Sequence, residues 1–410
     1  MASLHKSVHF PRNSRSFVKG RRSLYFQHLL IQCIVCLCID IFITGCQKQP
    51  EVETDFGRIQ RRADSIALIQ RFNDSTHARA IRKANNHIPE VLYRRTFISS
   101  KTHLDSIRRV FGKKPGTTLG YRVFTTLNRK DIQYFRVGDT IILPSSFHQD
   151  LRVYSVFPHY YPSADTINKL IIISNAFQSY ACYENGKLIR FAACNTGREA
   201  KPTFPGRYTL NWRDKIRRSS LDSNWVLPFT WNFHLFAGSA FHQFDMPGRP
   251  VSHSCVRQFM DDAEWLYSWG VGGKIDTANK KYIPMTGTPV IIVDVFDYSR
   301  KKGGPWWEIV SNKDTMIALP RSPMQVEEAL IPISQIPPEV RWQLPQKERY
   351  LYAEDTLRKR GWIRSEVTLE ESVNYNKLRR DKAKVKRSHL LRKTRMKSKQ
   401  PISSNQESNP

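Results

Sequence analysis

The sequence predicts a mainly β domain at residues 165–297 with a small α+β domain before it at residues 93–148, on three observations. Leu170-Ile171-Ile172-Ile173 is a short apolar run rich in β-branched residues, as a buried strand requires. Tyr180 to Cys194 reads as a hairpin turning at Asn185-Gly186, the strongest short-range signal for a two-residue turn. Arg94 to Ser145 reads as strand, helix, helix, strand.

The elements follow in order. Six basic residues, Lys6, Arg12, Arg15, Lys19, Arg21 and Arg22, precede an apolar run from Leu29 to Ile43 that ends Ile43-Thr44-Gly45-Cys46. Residues 1–45 resemble a bacterial lipoprotein signal, cleaved so that the Cys46 thiol is lipid-modified. An uncleaved membrane anchor is the alternative, although Asp40 would be costly in hydrocarbon. Residues 46–92 are polar and charged, a tether with one helical stripe of Ile59, Ala63, Ile66 and Ile69. In the α+β domain, Leu127-Asn128-Arg129-Lys130 and Phe135 to Pro144 resemble the second half of a LysM module. That resemblance implies binding of N-acetylglucosamine-containing glycan; the alternative is a packing domain that positions its neighbour.

The chemistry lies in Ser252-His253-Ser254-Cys255-Val256-Arg257, whose cysteine stands thirteen residues after His242. A cysteine attacks carbonyls as the thiolate, so it needs a proton acceptor and an electropositive setting. Val256, Met260, Ala263, Leu266 and Tyr267 recur at spacings of three and four, Asp261 and Asp262 fall early, and Gly270 closes the run. This pattern predicts a helix with Cys255 at its N-terminus, where the dipole would favour the thiolate and hold an oxyanion.

The segment resembles the signature of the L,D-transpeptidases of bacterial cell walls, a histidine followed by a Ser-His-Gly-Cys-x-Arg run. Further blocks agree: Asn195-Thr196-Gly197, Lys201-Pro202-Thr203-Phe204-Pro205-Gly206-Arg207-Tyr208, Ala237 to His242, Met246 to Pro250, and Gly287 to Ile292. The resemblance implies a β-sandwich, with Cys255 as nucleophile and His242 as its general base. The base is oriented by the backbone carbonyl of Gln243. His253 and Ser252 would line the site, and Arg257 would hold the loop or a substrate carboxylate. The implied substrates are peptidoglycan stem peptides. Cys255 would attack the carbonyl before the terminal D-amino acid and pass the acyl group to an amine. Transfer to water would make an L,D-carboxypeptidase, and a noncatalytic peptidoglycan-binding scaffold is the rival.

Two departures from the family pattern stand out. Ser254 replaces the usual glycine, which predicts backbone strain and a side chain narrowing the approach to the thiol. Gln243 replaces the usual glycine or serine, and the short stretch from His242 to Ser252 leaves little chain for a lid. Cys182 and Cys194 are expected to be free and buried, on opposite sides of the sheet if the hairpin is regular.

Residues 298–375 form a proline-rich extension expected to pack on the catalytic domain, with a helix near Gln346 to Arg360 and exposed aromatics at Trp306-Trp307. Residues 376–410 are a basic tail, with twelve Lys or Arg against Asp381 between Lys377 and Lys399, expected to be disordered. The net charge of +29 raises nucleic acid as a partner, but no groove-reading or aromatic-basic motif is present and none is expected. Wall polymers, stem-peptide carboxylates and the membrane surface are the expected counter-charges. No cofactor or metal is expected, because His234, His242 and His253 lack close pairing and carboxylate companions. The whole reads as an extracytoplasmic protein anchored in a bacterial cell envelope.

Overall fold

The computed structural model describes residues 55–112, 118–219, 224–313, 317–373 and 375–397. The signal expected at residues 1–45 and Cys46 lie outside the described residues. Among the described residues no helix is long and apolar enough to cross a membrane. The tether carries one helix, α1 (Asp55–Asn85). The chain forms two compact units, Met1–Arg71 and Phe72–Pro410, and all the strands belong to the second.

The expected strand-helix-helix-strand order is present as β1 (Tyr93–Phe97), α2 (Lys101–Phe111), α3 (Leu119–Asn128) and β2 (Thr140–Pro144). Each helix starts where a hydroxyl can cap it: Ser100 accepts from the His103 N–H, and Thr118 from that of Tyr121. The strands pair antiparallel from Tyr93 opposite Pro144 to Phe97 opposite Thr140. Ile98, Leu104, Ile107, Phe124, Phe135 and Ile141 fill a small core beneath.

The β domain is built around two main sheets. One holds β3 (Leu170–Ser174), β4 (Ser179–Glu184), β5 (Lys187–Ala193), β6 (Gly206–Thr209) and β13 (Pro289–Ile292), in the order β5-β4-β3-β13-β6. The other holds β7 (Arg213–Arg218), β8 (Val226–His234), β9 (Ser239–Gln243) and β10 (Val256–Gln258), in the order β10-β9-β8-β7. Ile171, Ile173, Tyr180 and Val290 of the first sheet share a core with Trp231, Phe233, Phe241 and Val256 of the second. Leu170, Ile172, Tyr183 and Phe191 point the other way, into a second core with Tyr154, Trp306 and Ile309. Because both faces of β3 are covered, its sequence is a continuous apolar run and not an alternating one. Each isoleucine buried there contributes roughly 1.5–3 kcal/mol.

The Asn185-Gly186 turn forms as expected, with φ of +46° and +73° and Glu184 opposite Lys187. The register then shifts, so Cys182 faces Arg190 and not Ile189. This bulge corrects the expectation for the two thiols, since both Cys182 and Cys194 now point into the core between the sheets. They remain free and buried, and burial pushes both well above the ordinary thiol pKa. Cys194 lies four residues beyond the partner of Cys182, about 13 Å along the strand and too far for a disulfide.

The extension packs on the sandwich as expected. Leu330, Ile331, Ile336, Leu344, Leu357 and Leu369 belong to the same core as Tyr208 and Phe233. Its helix is α5 (Lys347–Lys359) in this chain's order after α4 (Met260–Trp269). Gly206, with φ of +129°, lets the extension approach the sheet edge: a Cβ there would lie 2.5 Å from the Cα of Ala329. Two expectations fail. Trp306 is buried with the Arg129 guanidinium 5.4 Å from its ring centre, and Trp307 is half-buried, so these are packing residues. The basic run is helical as α6 (Tyr375–Lys397), because it holds no glycine or proline and is rich in lysine, arginine and leucine, which favour helix.

Candidate active site

Strands β9 and β10 run parallel, with Val256 beside Phe241 and Arg257 beside His242. Continued by one residue, this register sets Cys255 beside Ala240. Side chains alternate between faces, so Phe241 and Val256 enter the core while Ala240, His242, Cys255 and Arg257 share the opposite face. Those four line a cleft of about 840 Å³.

His242 is 5% exposed, and its Nδ1 lies 3.0 Å from the Gln243 carbonyl. A carbonyl only accepts, so this contact fixes the proton on Nδ1 and leaves Nε2 as the acceptor. Burial lowers the imidazole pKa to about 4, and Arg257 adds to the effect against the opposing carbonyl. The ring is therefore neutral near pH 7, as a base must be. Cys255 is partly exposed. Desolvation raises its thiol pKa, while the Ala240 N–H and the Arg257 and Arg217 cations act to lower it. The resting pair is thus neutral thiol and neutral imidazole, and the proton moves when the sulfur attacks.

The helix expected to begin at Cys255 does not. Val256 to Gln258 are drawn into the sheet by β9, and Arg257 also exchanges backbone bonds with Asn195. Helix α4 starts only at Met260, with Phe259 at its N-cap, so its dipole does not act on the thiol.

Ser254 has φ of +77°, the left-handed conformation that the family glycine would take without strain. Its hydroxyl is 2.8 Å from that of Ser239, and it does not line the cleft. The expected narrowing of the approach is therefore absent, because Ser239 holds the side chain aside. Thr203 explains part of the upstream block: its hydroxyl accepts from the Gly197 N–H at 2.8 Å and donates to the Ser254 carbonyl at 3.2 Å. Ser252 donates to the Cys255 carbonyl at 2.5 Å, closing the loop from the other side.

His253 lines the cleft with Nε2 2.7 Å from Nη1 of Arg198. A guanidinium only donates, so this nitrogen accepts, and burial with Arg198 lowers the imidazole pKa to about 4. Arg257 donates to the Asp245 carbonyl at 3.2 Å and lies 4.7 Å over the Phe244 ring, bracing the chain just after His242.

Several cleft residues carried no role in the sequence. The walls come from the β7–β8 hairpin with Trp212, Arg217 and Trp225, and from the hairpin of β11 (Ile275–Asp276) and β12 (Lys281–Tyr282). The extension supplies Pro337, Val340, Gln343, Pro345, Ser372 and Val373. Lys201 was visible only as part of a motif, and the proline-rich wall had no periodicity to mark it. Among the described residues the cleft is lined by five cations, Lys201, Arg217, Arg257, Lys280 and Lys281, and by no carboxylate. Among the described residues no group of three His, Cys, Asp or Glu side chains is placed to hold a metal.

Residues 168–292 match the family model of the L,D-transpeptidase catalytic domain, YkuD. Among solved structures, an L,D-transpeptidase from Stackebrandtia nassauensis is 17% identical, over 48% of this chain and 78% of that one, with a TM-score of 0.29. One from Xylanimonas cellulosilytica is also 17% identical, over 49% and 97%, with a TM-score of 0.28. One from Mycobacterium smegmatis is 15% identical over 31% of this chain, with a TM-score of 0.25, and the present chain spans 59% of its length. No curated protein matches.

Proposed function

We propose that the protein is a cysteine-dependent L,D-transpeptidase acting on peptidoglycan stem peptides. The observation that carries this reading is the shared face of Cys255 and His242 on β9–β10, with the Gln243 carbonyl fixing the imidazole tautomer. Nε2 of His242 takes the proton as Sγ bonds to the carbonyl carbon before the terminal D-amino acid. The tetrahedral species collapses, the C–N bond breaks, and His242 returns the proton to the departing amine. The thioester is then attacked by an amine of a second stem or a protein, whose proton His242 accepts; the C–S bond breaks, and His242 returns the proton to the departing sulfur. The five cations that line the cleft suit a stem peptide rich in carboxylates.

The strand-helix-helix-strand module is proposed to bind glycan, and a lipid on Cys46 to hold the protein on the extracytoplasmic side of the cell envelope. Pull-down of the full chain on purified peptidoglycan tests the first, and intact mass of the membrane-extracted protein tests the second.

The chemistry is tested by incubating the reduced, folded protein with a carbapenem. An adduct in the intact mass that is absent from Cys255→Ala is expected. A folded wild type that never acylates sinks the enzyme reading in favour of a wall-binding scaffold. Product analysis with donor stem alone and with an amine acceptor separates transpeptidation from hydrolysis.

A further inference from the structure

The extension does more than cover the sandwich, because one of its segments reaches a cation in the cleft. The Glu370 N–H donates to the Ala200 carbonyl at 2.9 Å, and the Ser372 N–H donates to that of Ser334 at 2.7 Å. The Ser372 hydroxyl donates its proton to the Gln335 carbonyl at 2.9 Å and turns its lone pairs to Lys201, whose Nζ lies 2.6 Å away. Lys201 is 6% exposed and lines the cleft.

An ammonium has three donors, and among the described residues the Ser372 hydroxyl is the only acceptor that the Lys201 ammonium meets. The acids nearby are engaged elsewhere. Glu370 holds Arg198 through both carboxylate oxygens, and Glu371 pairs with Arg341. A nearly buried ammonium without a counter-ion is costly unless a ligand supplies one. Burial lowers the lysine pKa to about 8, with Glu370 and Glu371 acting against that and Arg198 with it, so it stays mostly charged at neutral pH.

We propose that Lys201, held by Ser372 of the extension, is a subsite for a carboxylate of the bound peptide, so that the extension takes part in choosing the substrate. This rests on the reading of the cleft as the peptide site of a cysteine enzyme. Arg198, clamped by Glu370, closes the subsite on the side of His253 and keeps the acid away from the lysine.

The test measures binding without turnover, in the full chain carrying Cys255→Ala. A synthetic donor tetrapeptide is titrated by calorimetry beside versions amidated at one carboxylate at a time. One amidation should weaken binding by about tenfold or more, the size of a lost charge-assisted hydrogen bond. In Lys201→Met that difference should vanish, and in Lys201→Arg it should persist. Should Lys201→Met fail to fold, Ser372→Ala, which keeps the ammonium but removes its acceptor, should shrink the difference by about threefold. Discrimination that is equal in Lys201→Met and its parent, or unchanged by Ser372→Ala, overturns the subsite, as does a peptide whose binding no amidation alters. Carbapenem acylation of the wild type is read separately. A missing adduct defeats the enzyme reading alone, whereas an adduct with unaltered discrimination defeats the subsite alone.

Discussion

The floor of the cleft and its C-terminal wall face the same space but are held by different means. The floor is a parallel strand pair, and the backbone ladder sets His242 and Cys255 on one face. The wall is a series of 3₁₀ turns, Ile333–Gln335 and Pro338–Gln343, followed by helix α5, and apart from a few backbone bonds at Arg207 and Ala200 it is tied down by side chains. Its ion pairs with the sandwich, Arg198–Glu370, Arg207–Glu328 and Arg364–Glu199, are all partly exposed. Such pairs contribute little, because solvent screens them. Most of the hold therefore comes from Leu330, Ile331, Ile336, Leu357 and Leu369, which share the core of the sheets. A backbone ladder fixes where Cys255 and His242 stand, whereas the lining that the wall adds depends on how its side chains pack.

The largest effect should come from breaking the floor. His242→Gln removes the acceptor for the thiol proton, and loss of a general base costs roughly 10²–10⁴ in rate. The measurement is the rate at which carbapenem adduct accumulates near pH 7. A variant within a few-fold of wild type would show that His242 is not the base.

The matching test of the wall is Leu357→Ala. Leu357 is fully buried, so its truncation should destabilise by about 2–5 kcal/mol, as in a domain core. Urea denaturation should show that loss within one cooperative transition. A change below about 0.5 kcal/mol, or a separate early transition, would make the wall an independent appendage.

The same contrast decides what was legible in the sequence. Cys255, His242 and the Gln243 carbonyl were legible because the β9–β10 chemistry is local and carried by a motif. Even there the three- and four-residue spacing after Cys255 suggested a helix too early. The spacing ran on through Val256, which the sheet claims by pairing with Phe241, and pairing is not visible along one segment. The bulge at Cys182 escaped notice for a like reason, since it needs the partner strand to be seen. The wall was legible as packing but not as part of the site. Val340 and Ser372 reach the cleft only through contacts across more than a hundred residues, such as Ser372 with Lys201.

Acid should weaken both regions together. Burial lowers the pKa of His159, His234, His242 and His253 to about 4, from an ordinary value of 6.5. Between those values the unfolded chain binds protons that the folded chain refuses, so stability falls as pH drops from about 6.5 to about 4. His234 stands where floor meets wall, with Arg349 of the extension lowering it further and Tyr350 edge-on at 6.4 Å. Urea midpoints should decline through this window, and His234→Gln should soften the decline. Flat midpoints would mean that these imidazoles are solvated in the folded protein.

The smallest effect, and the finest test of the floor, lies at Ser254. Its left-handed backbone costs roughly 1–2 kcal/mol for a residue with a Cβ, while its bond to Ser239 returns about 1 kcal/mol. Ser254→Ala keeps the strain and loses the bond, so it should destabilise by about 1 kcal/mol. Ser254→Gly loses the bond and the strain, and it adds about 0.5–1 kcal/mol of unfolded-state entropy, so it should be close to neutral. The quantity to measure is the difference between the two variants by urea denaturation, with glycine the more stable. A glycine variant less stable than the alanine one by about 0.5–1 kcal/mol, the entropy cost alone, would show that the loop carries no strain at Ser254.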